Sequence, residues 1–133
     1  VLMKDYGQRH IIAFRSFVSK SVKDKKPTPN LAFYVAKALL QSRFSEIIHG
    51  LSRKHIEERI KVDYHDPGGP KASEFAAFLY KIVAYQQGRG IKPPLFDYDQ
   101  VARVLRIIDS TLFFYLKHAK ETILQEINEA SSS

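Results

Sequence analysis

Apolar residues recur along the C-terminal third of the chain at the three- and four-residue spacing of one helical face. The pattern runs from residue 98 to about residue 129 without a Gly or Pro, and comprises Val101, Val104, Leu105, Ile108, Leu112, Tyr115, Leu116, Ala119, Ile123 and Ile127. Such spacing predicts an amphipathic helix of roughly 30 residues. Asp97 is predicted to cap its start while Gln100 reaches back. Upstream segments must then supply the partner faces, because such a helix cannot bury its apolar face alone.

Four shorter helices are predicted upstream of this long helix. Their apolar positions define residues 4–22, 31–49, 53–60 and 72–87. The second of them is apolar around much of its circumference, which predicts a central position. The third is mostly charged, which predicts a surface position.

Local signals mark several ends of these helices. Asn30 and Ser52 are predicted N-caps of the second and third helices, because their side chains can accept bonds from free backbone N–H groups. Gly50 is predicted to end the second helix and the Gly88-Arg89-Gly90 run to end the fourth.

These elements together predict the fold class. No alternating run of β-branched residues is long enough to predict a sheet. The sequence therefore predicts an all-α fold, a single compact bundle of about five helices with a long C-terminal helix. One domain is predicted over residues 1–130, followed by a frayed serine tail at residues 131–133.

Composition narrows the class of protein. With 133 residues, 44% of them apolar, the chain is large enough for one globular core. Its longest apolar run falls far short of the roughly 18 to 20 residues that span a bilayer. Because cysteine is absent, there is no disulfide framework or thiolate metal site, and a cytoplasmic location is predicted. The start at Val1 fits either an excised domain or an unusual start codon.

The net charge of +7 is unevenly distributed along the chain. Residues 1–26 hold seven basic and two acidic side chains, and residues 81–96 hold three basic side chains and no acidic one. Residues 97–133 hold six acidic and four basic side chains. The long helix is therefore predicted to be a scaffold, with the basic surface built from other segments.

Signals for catalysis are weak, and the sequence predicts a protein that is not an enzyme and needs no cofactor or metal. Arg43 and His49 have a spacing that resembles the Arg-x(4–6)-His motif of HEPN ribonucleases, in which His would move a proton during attack by a 2′-hydroxyl. The plainer interpretation places His49 at a helix end and Arg43 on a solvated face. His65 lies beside Asp66 in a polar loop cluster, which is more typical of turn chemistry than of a metal site.

Basic side chains interleaved with aromatic ones favour nucleic-acid binding instead. Lysine and arginine attract phosphates through counterion release, and aromatic rings can stack on unpaired bases. The predicted binding residues form two tracks. One comprises Arg9, Arg15, Lys20, Lys23, Lys25 and Lys26, and the other comprises Lys81, Tyr85, Gln86, Arg89 and Lys92. In the alternative interpretation these charges only keep the domain soluble and the tyrosines are edges of the core.

One stretch carries a family resemblance. Residues 79–90 read Leu-Tyr-Lys-Ile-Val-Ala-Tyr-Gln-Gln-Gly-Arg-Gly. They resemble the segment in small helical subunits of CRISPR effector (Cascade-like) complexes where an apolar helix ends in Tyr-Gln-x-Gly-Arg. Tyr85, Gln86, Gly88 and Arg89 are the positions that match.

The resemblance implies a non-catalytic subunit of a ribonucleoprotein assembly. Its partners would be guide RNA, the target or displaced DNA strand, other effector subunits and further copies of itself. It also implies that the chain could be the C-terminal part of a large subunit. Two other functions stay open, namely a helical protein–protein interaction module and a metal-independent HEPN-like ribonuclease.

Overall fold

A computed structural model describes residues 2–19, 31–64 and 70–132 of the chain. Within them the elements are, in order, α1 (Leu2–Val18), α2 (Leu31–Gln41), α3 (Phe44–His49), β1 (Leu51–Ser52), α4 (Arg53–Asp63), α5 (Ala72–Tyr80), α6 (Ile82–Gly88), β2 (Phe96–Asp99), β3 (Val104–Ile107) and α7 (Ser110–Ser132). The structure is mostly helical with a long C-terminal helix, as predicted. It also contains a small antiparallel sheet, so the all-α prediction is wrong in that part.

The sheet replaces the first third of the predicted long helix. β3 lies in the middle, with β1 and β2 antiparallel on either side of it. Phe96 is opposite Ile107 across β2 and β3, and Leu51 is opposite Leu105 across β1 and β3. Asp97, predicted to cap a helix, lies within β2.

Local chemistry explains why residues 98–109 do not form a helix. Oδ1 of Asp99 accepts hydrogen bonds from the backbone N–H groups of Val101 and Ala102, both at 3.0 Å, and such side-chain bonds favour a turn. Arg103 follows with φ 56°, a left-handed conformation that ends any right-handed helix. Val101 is 96% exposed, although the helical pattern predicted it to be buried.

Two predicted helices are each divided in the structure. Residues 31–49 form α2 and α3, because the Glu46 carboxylate accepts from the backbone N–H of Arg43 at 3.0 Å and starts a new helix there. Residues 72–87 form α5 and α6, with Lys81 between them at φ −104° and ψ 13°.

Two of the predicted caps, Ser52 and Gly50, are confirmed, whereas Asp97 lies in β2 and caps no helix. The Ser52 hydroxyl accepts from the backbone N–H of His55 at 3.1 Å and so caps α4. Gly50 ends α3 with φ 90°, and a Cβ there would collide with the side chain of Val104 in β3. Asn30, the other predicted cap, lies outside the described residues.

The core forms where α1 and α7 pack together against α2. α2 contributes six buried residues, which confirms the predicted central position. Phe14 and Phe17 of α1 are buried, and so are Ile123 and Ile127 of α7. α4 is less superficial than predicted, because its Ile56 and Ile60 are also buried. α7 is bent at Ala119 (φ −133°) and runs to Ser132, so two of the three serines of the predicted tail have helical backbone.

Candidate nucleic-acid interface

A cleft of about 190 Å³ opens between α1 and the loop that follows α6. Its walls are formed by Arg9, His10, Ile12, Ala13, Ser16, Arg89, Gly90, Ile91, Lys92, Pro93, Leu95 and Asp109. Arg9, Arg89 and Lys92 are three of the predicted binding residues, and they come from both predicted tracks. The fold therefore joins the two tracks at one place.

The loop is held in position by the side-chain amide of Gln86. Oε1 of Gln86 accepts from the backbone N–H groups of Leu95 (2.7 Å) and Phe96 (3.1 Å). Its Nε2 donates to the carbonyl oxygens of Ile82 and Phe96, each at 2.9 Å. Gln86 is 0% exposed. The amide is therefore buried and already bonded, so Gln86 presents no exposed group to the nucleic acid that it was predicted to contact.

The side chain of Arg89 closes the C-terminal end of α1. Its Nη1 donates to the carbonyl of Ser16 at 3.0 Å and to the carbonyl and hydroxyl of Ser19. The Ser16 hydroxyl in turn donates to the carbonyl of Arg89. A cation at this end of a helix also interacts favourably with the helix dipole. Arg89 is therefore a structural contact of α1 as well as a wall of the cleft.

The side chain of Tyr85 packs against the rest of the fold, whereas stacking on a nucleic-acid base would need its ring face to be exposed. Its hydroxyl donates to the carbonyl of Phe17 at 2.8 Å, and its ring lies 5.5 Å from the Phe17 ring and 5.2 Å from the Phe78 ring. The Arg89 guanidinium lies over the Tyr85 ring at 4.6 Å, at the distance of a cation–π contact. Tyr85 thus resembles the core-edge alternative, whereas Tyr80 is 49% exposed.

A hydrogen-bonded network lies at the other end of the cleft. Arg9 Nη2 donates to Asp109 Oδ2 at 2.9 Å and to Thr111 Oγ1 at 3.2 Å. Thr111 Oγ1 donates to Asp109 Oδ1 at 2.7 Å, and His10 Nε2 lies 3.1 Å from the same hydroxyl. The Asp109 carboxylate is therefore already neutralised and bonded inside the protein.

The pKa values of His10 and Asp109 in this network are both lower than their ordinary values. Burial lowers the pKa of His10, and the nearby charge of Asp109 offsets that effect only in part. Burial opposes ionisation of Asp109, but hydrogen bonds from Thr111 and the charges of His10 and Arg9 prevail and keep its pKa below the usual value.

The network was missed by sequence reasoning. The long predicted helix includes Asp109 and Thr111, whereas in the structure Asp109 immediately precedes α7. There its Oδ1 accepts from the backbone N–H of Thr111 at 3.0 Å. An Asp-Ser-Thr run is a typical helix start, and that signal could have revealed it.

The other predicted residues lie elsewhere or outside the described chain. Arg15 does not line the cleft and forms an ion pair with Glu126 of α7. Lys81 and Lys92 are exposed, and the side chain of neither has a hydrogen bond or ion pair within the described ranges. The remaining four predicted residues, Lys20, Lys23, Lys25 and Lys26, fall outside the described ranges, as do His65 and Asp66.

The pair predicted for a ribonuclease lies on a different helix. Arg43 precedes the first residue of α3 and His49 is its last residue, and both are exposed. No contact joins them within the part of the chain that the structure describes. The same described residues contain no group of three His, Asp or Glu side chains placed to hold a metal ion.

Comparison with protein-family models, curated proteins and solved structures finds no match for this chain. Among the described helices none is long and apolar enough to cross a membrane.

Proposed function

We propose that this protein binds the phosphate backbone of nucleic acids through the cleft between α1 and the loop after α6. The observation that supports it is the convergence of Arg9, Arg89 and Lys92, from two distant basic segments, around this one cleft. Clustered cations of this kind attract phosphates whatever the base sequence, because counterion release depends on charge alone. The binding would be non-catalytic and largely independent of sequence.

Because residues 79–90 resemble a segment of CRISPR effector small subunits, we propose that the protein is a subunit of a ribonucleoprotein in the cytoplasm. Guide RNA, a target or displaced DNA strand and other subunits would then be the partners. Of the matching positions, Gln86 and Arg89 have roles inside this fold. The proposal therefore depends on the charge of the cleft and does not require the motif to contact nucleic acid.

The first prediction concerns Lys92, whose exposed ammonium group lies on the cleft wall. Lys92→Ala should weaken binding to labelled single- and double-stranded oligonucleotides about two- to fivefold, since an exposed charge contact is worth up to about 1 kcal/mol. It should also reduce the slope of log affinity against log salt by about one, whatever the base sequence. Fluorescence anisotropy across a salt series measures both quantities.

Lys54→Ala is the matched control, because Lys54 is exposed on α4 and does not line the cleft. Equal losses for the two variants would contradict binding at the cleft, and the absence of binding to any probe would contradict the function itself. Association that is insensitive to salt, and with a protein, would favour the interaction module. RNA cleavage without metal that His49→Ala abolishes would favour the ribonuclease.

A further inference from the structure

Arg89 has hydrogen-bonding capacity that its contacts with α1 do not use. The side-chain hydrogen bonds that Arg89 donates to Ser16 and Ser19 all come from Nη1. Its Nε and Nη2 donors have no hydrogen-bond partner among residues 2–19, 31–64 and 70–132. Because the Nη1 contacts and the Tyr85 ring already fix the guanidinium plane, binding an anion would cost it little additional side-chain entropy.

The cleft is also electropositive where it meets Arg89. Lys92 lies on the same loop and Arg9 on the facing helix. The one carboxylate among the lining residues is that of Asp109, and it is occupied by Arg9 and Thr111. An incoming anion would therefore meet cations whose charge is only partly balanced.

We propose that the cleft is a discrete binding site for one phosphate group, held between the guanidinium of Arg89 and the ammonium of Lys92. This inference rests on the proposed function in that the backbone of a nucleic acid would supply the phosphate. Arginine suits such a site, since its planar fork of donors matches the oxygens of a phosphate. Ile12 and Pro93 form an apolar rim beside these cations. A less polar rim strengthens the attraction between the cations and the bound anion.

Ile12 provides a way to test the site without disturbing the contacts of Arg89. Its side chain is 59% exposed at the rim, so Ile12→Glu adds a negative charge there without removing a buried group. The matched control is Ile48→Glu, because Ile48 is 51% exposed on α3, away from the cleft. Circular dichroism would verify that both variants are folded.

The second prediction concerns inorganic phosphate as the probe. Titration with phosphate should shift the ¹⁵N–¹H signal of Arg89 Nε in a saturable way, whereas sodium chloride at matched ionic strength should not. Ile12→Glu should weaken the fitted phosphate affinity about fivefold, as expected for a like charge close to the anion in a partly screened setting. Ile48→Glu should leave the affinity unchanged.

The possible outcomes distinguish failure of the phosphate site from failure of the proposed nucleic-acid binding. An Arg89 signal that responds equally to chloride and phosphate, or equal effects of the two glutamate variants, would overturn the phosphate site. If free phosphate does not compete with oligonucleotide binding, the phosphate site would be overturned while nucleic-acid binding would stand. Saturable phosphate binding with no affinity for oligonucleotides would support the site and overturn the proposed function.

Discussion

Gln86 uses its side-chain amide to complete the hydrogen bonding at the buried end of the loop after α6. Two backbone N–H groups and one carbonyl, from Leu95 and Phe96, depend on this amide. Buried backbone groups of this kind are costly to leave without partners. The position of the cleft wall therefore depends on a residue that cannot itself touch a ligand.

The third prediction follows from this dependence. Gln86→Leu should reduce the free energy of unfolding by about 3 kcal/mol, because three buried polar groups lose their partners at about 1 kcal/mol or more each. Urea denaturation measures the change. Gln87→Leu is the control, since Gln87 is the exposed neighbour and should change stability by less than about 0.5 kcal/mol. Similar losses for the two variants would contradict the structural role of Gln86.

The fourth prediction concerns His10, which is buried against Thr111 and faces Asp109, Arg9 and the ring of Tyr115. Its pKa in the folded protein is lower than the ordinary value of 6.5. As the pH falls below 6.5, the unfolded chain binds a proton before the folded one does, so stability should decrease. The decrease should continue until the pH passes below the native pKa, with a slope of at most about 1.4 kcal/mol per pH unit.

Urea denaturation at a series of pH values measures this slope. His10→Gln is the comparison, because glutamine can still donate a hydrogen bond to Thr111 but does not titrate. Its stability should depend less steeply on pH through the same window. The other histidines are unchanged in this variant, so an identical pH dependence would rule out His10 as the source.

At the scale of elements, short-range signals predicted helix ends better than they predicted helix lengths. Ser52 and Gly50 were predicted correctly because each acts on backbone within a few residues of itself. Residues 98–109 were predicted wrongly because their apolar spacing suits both a helix and a strand. Leu105 pairs with Tyr98 of β2 on one side and with Leu51 of β1 on the other, and the second contact lies outside any local window.

The fifth prediction concerns the cap of α4. Ser52→Ala should reduce the free energy of unfolding by about 1 kcal/mol, because the backbone N–H of His55 loses its side-chain acceptor. Thermal or urea denaturation measures the loss. Ser73→Ala, at an exposed position in α5, should have little effect or stabilise slightly, since alanine is the better helix former. Comparable losses in both variants would argue against the cap.

At the scale of the whole molecule, the charge asymmetry along the sequence is partly cancelled by packing. α1, from the basic end of the chain, packs on α7, from the acidic end, and Arg9 and Arg15 pair with Asp109 and Glu126. The sequence could identify Arg9, Arg89 and Lys92 as candidates. It could not predict that they line one cleft, because their proximity depends on how α1 packs against the distant loop after α6.

The amide of Gln86 has one more consequence, for contacts between molecules. β2 is an outer strand of the sheet, and the outer strand of a sheet is a template onto which a strand from another chain can add. The backbone N–H and C=O of Phe96, the first residue of β2, are already bonded to Gln86 and cannot pair with a newcomer. The same side chain that fixes the loop thus hinders a strand of another chain from pairing with this end of β2, which is one route to aggregation.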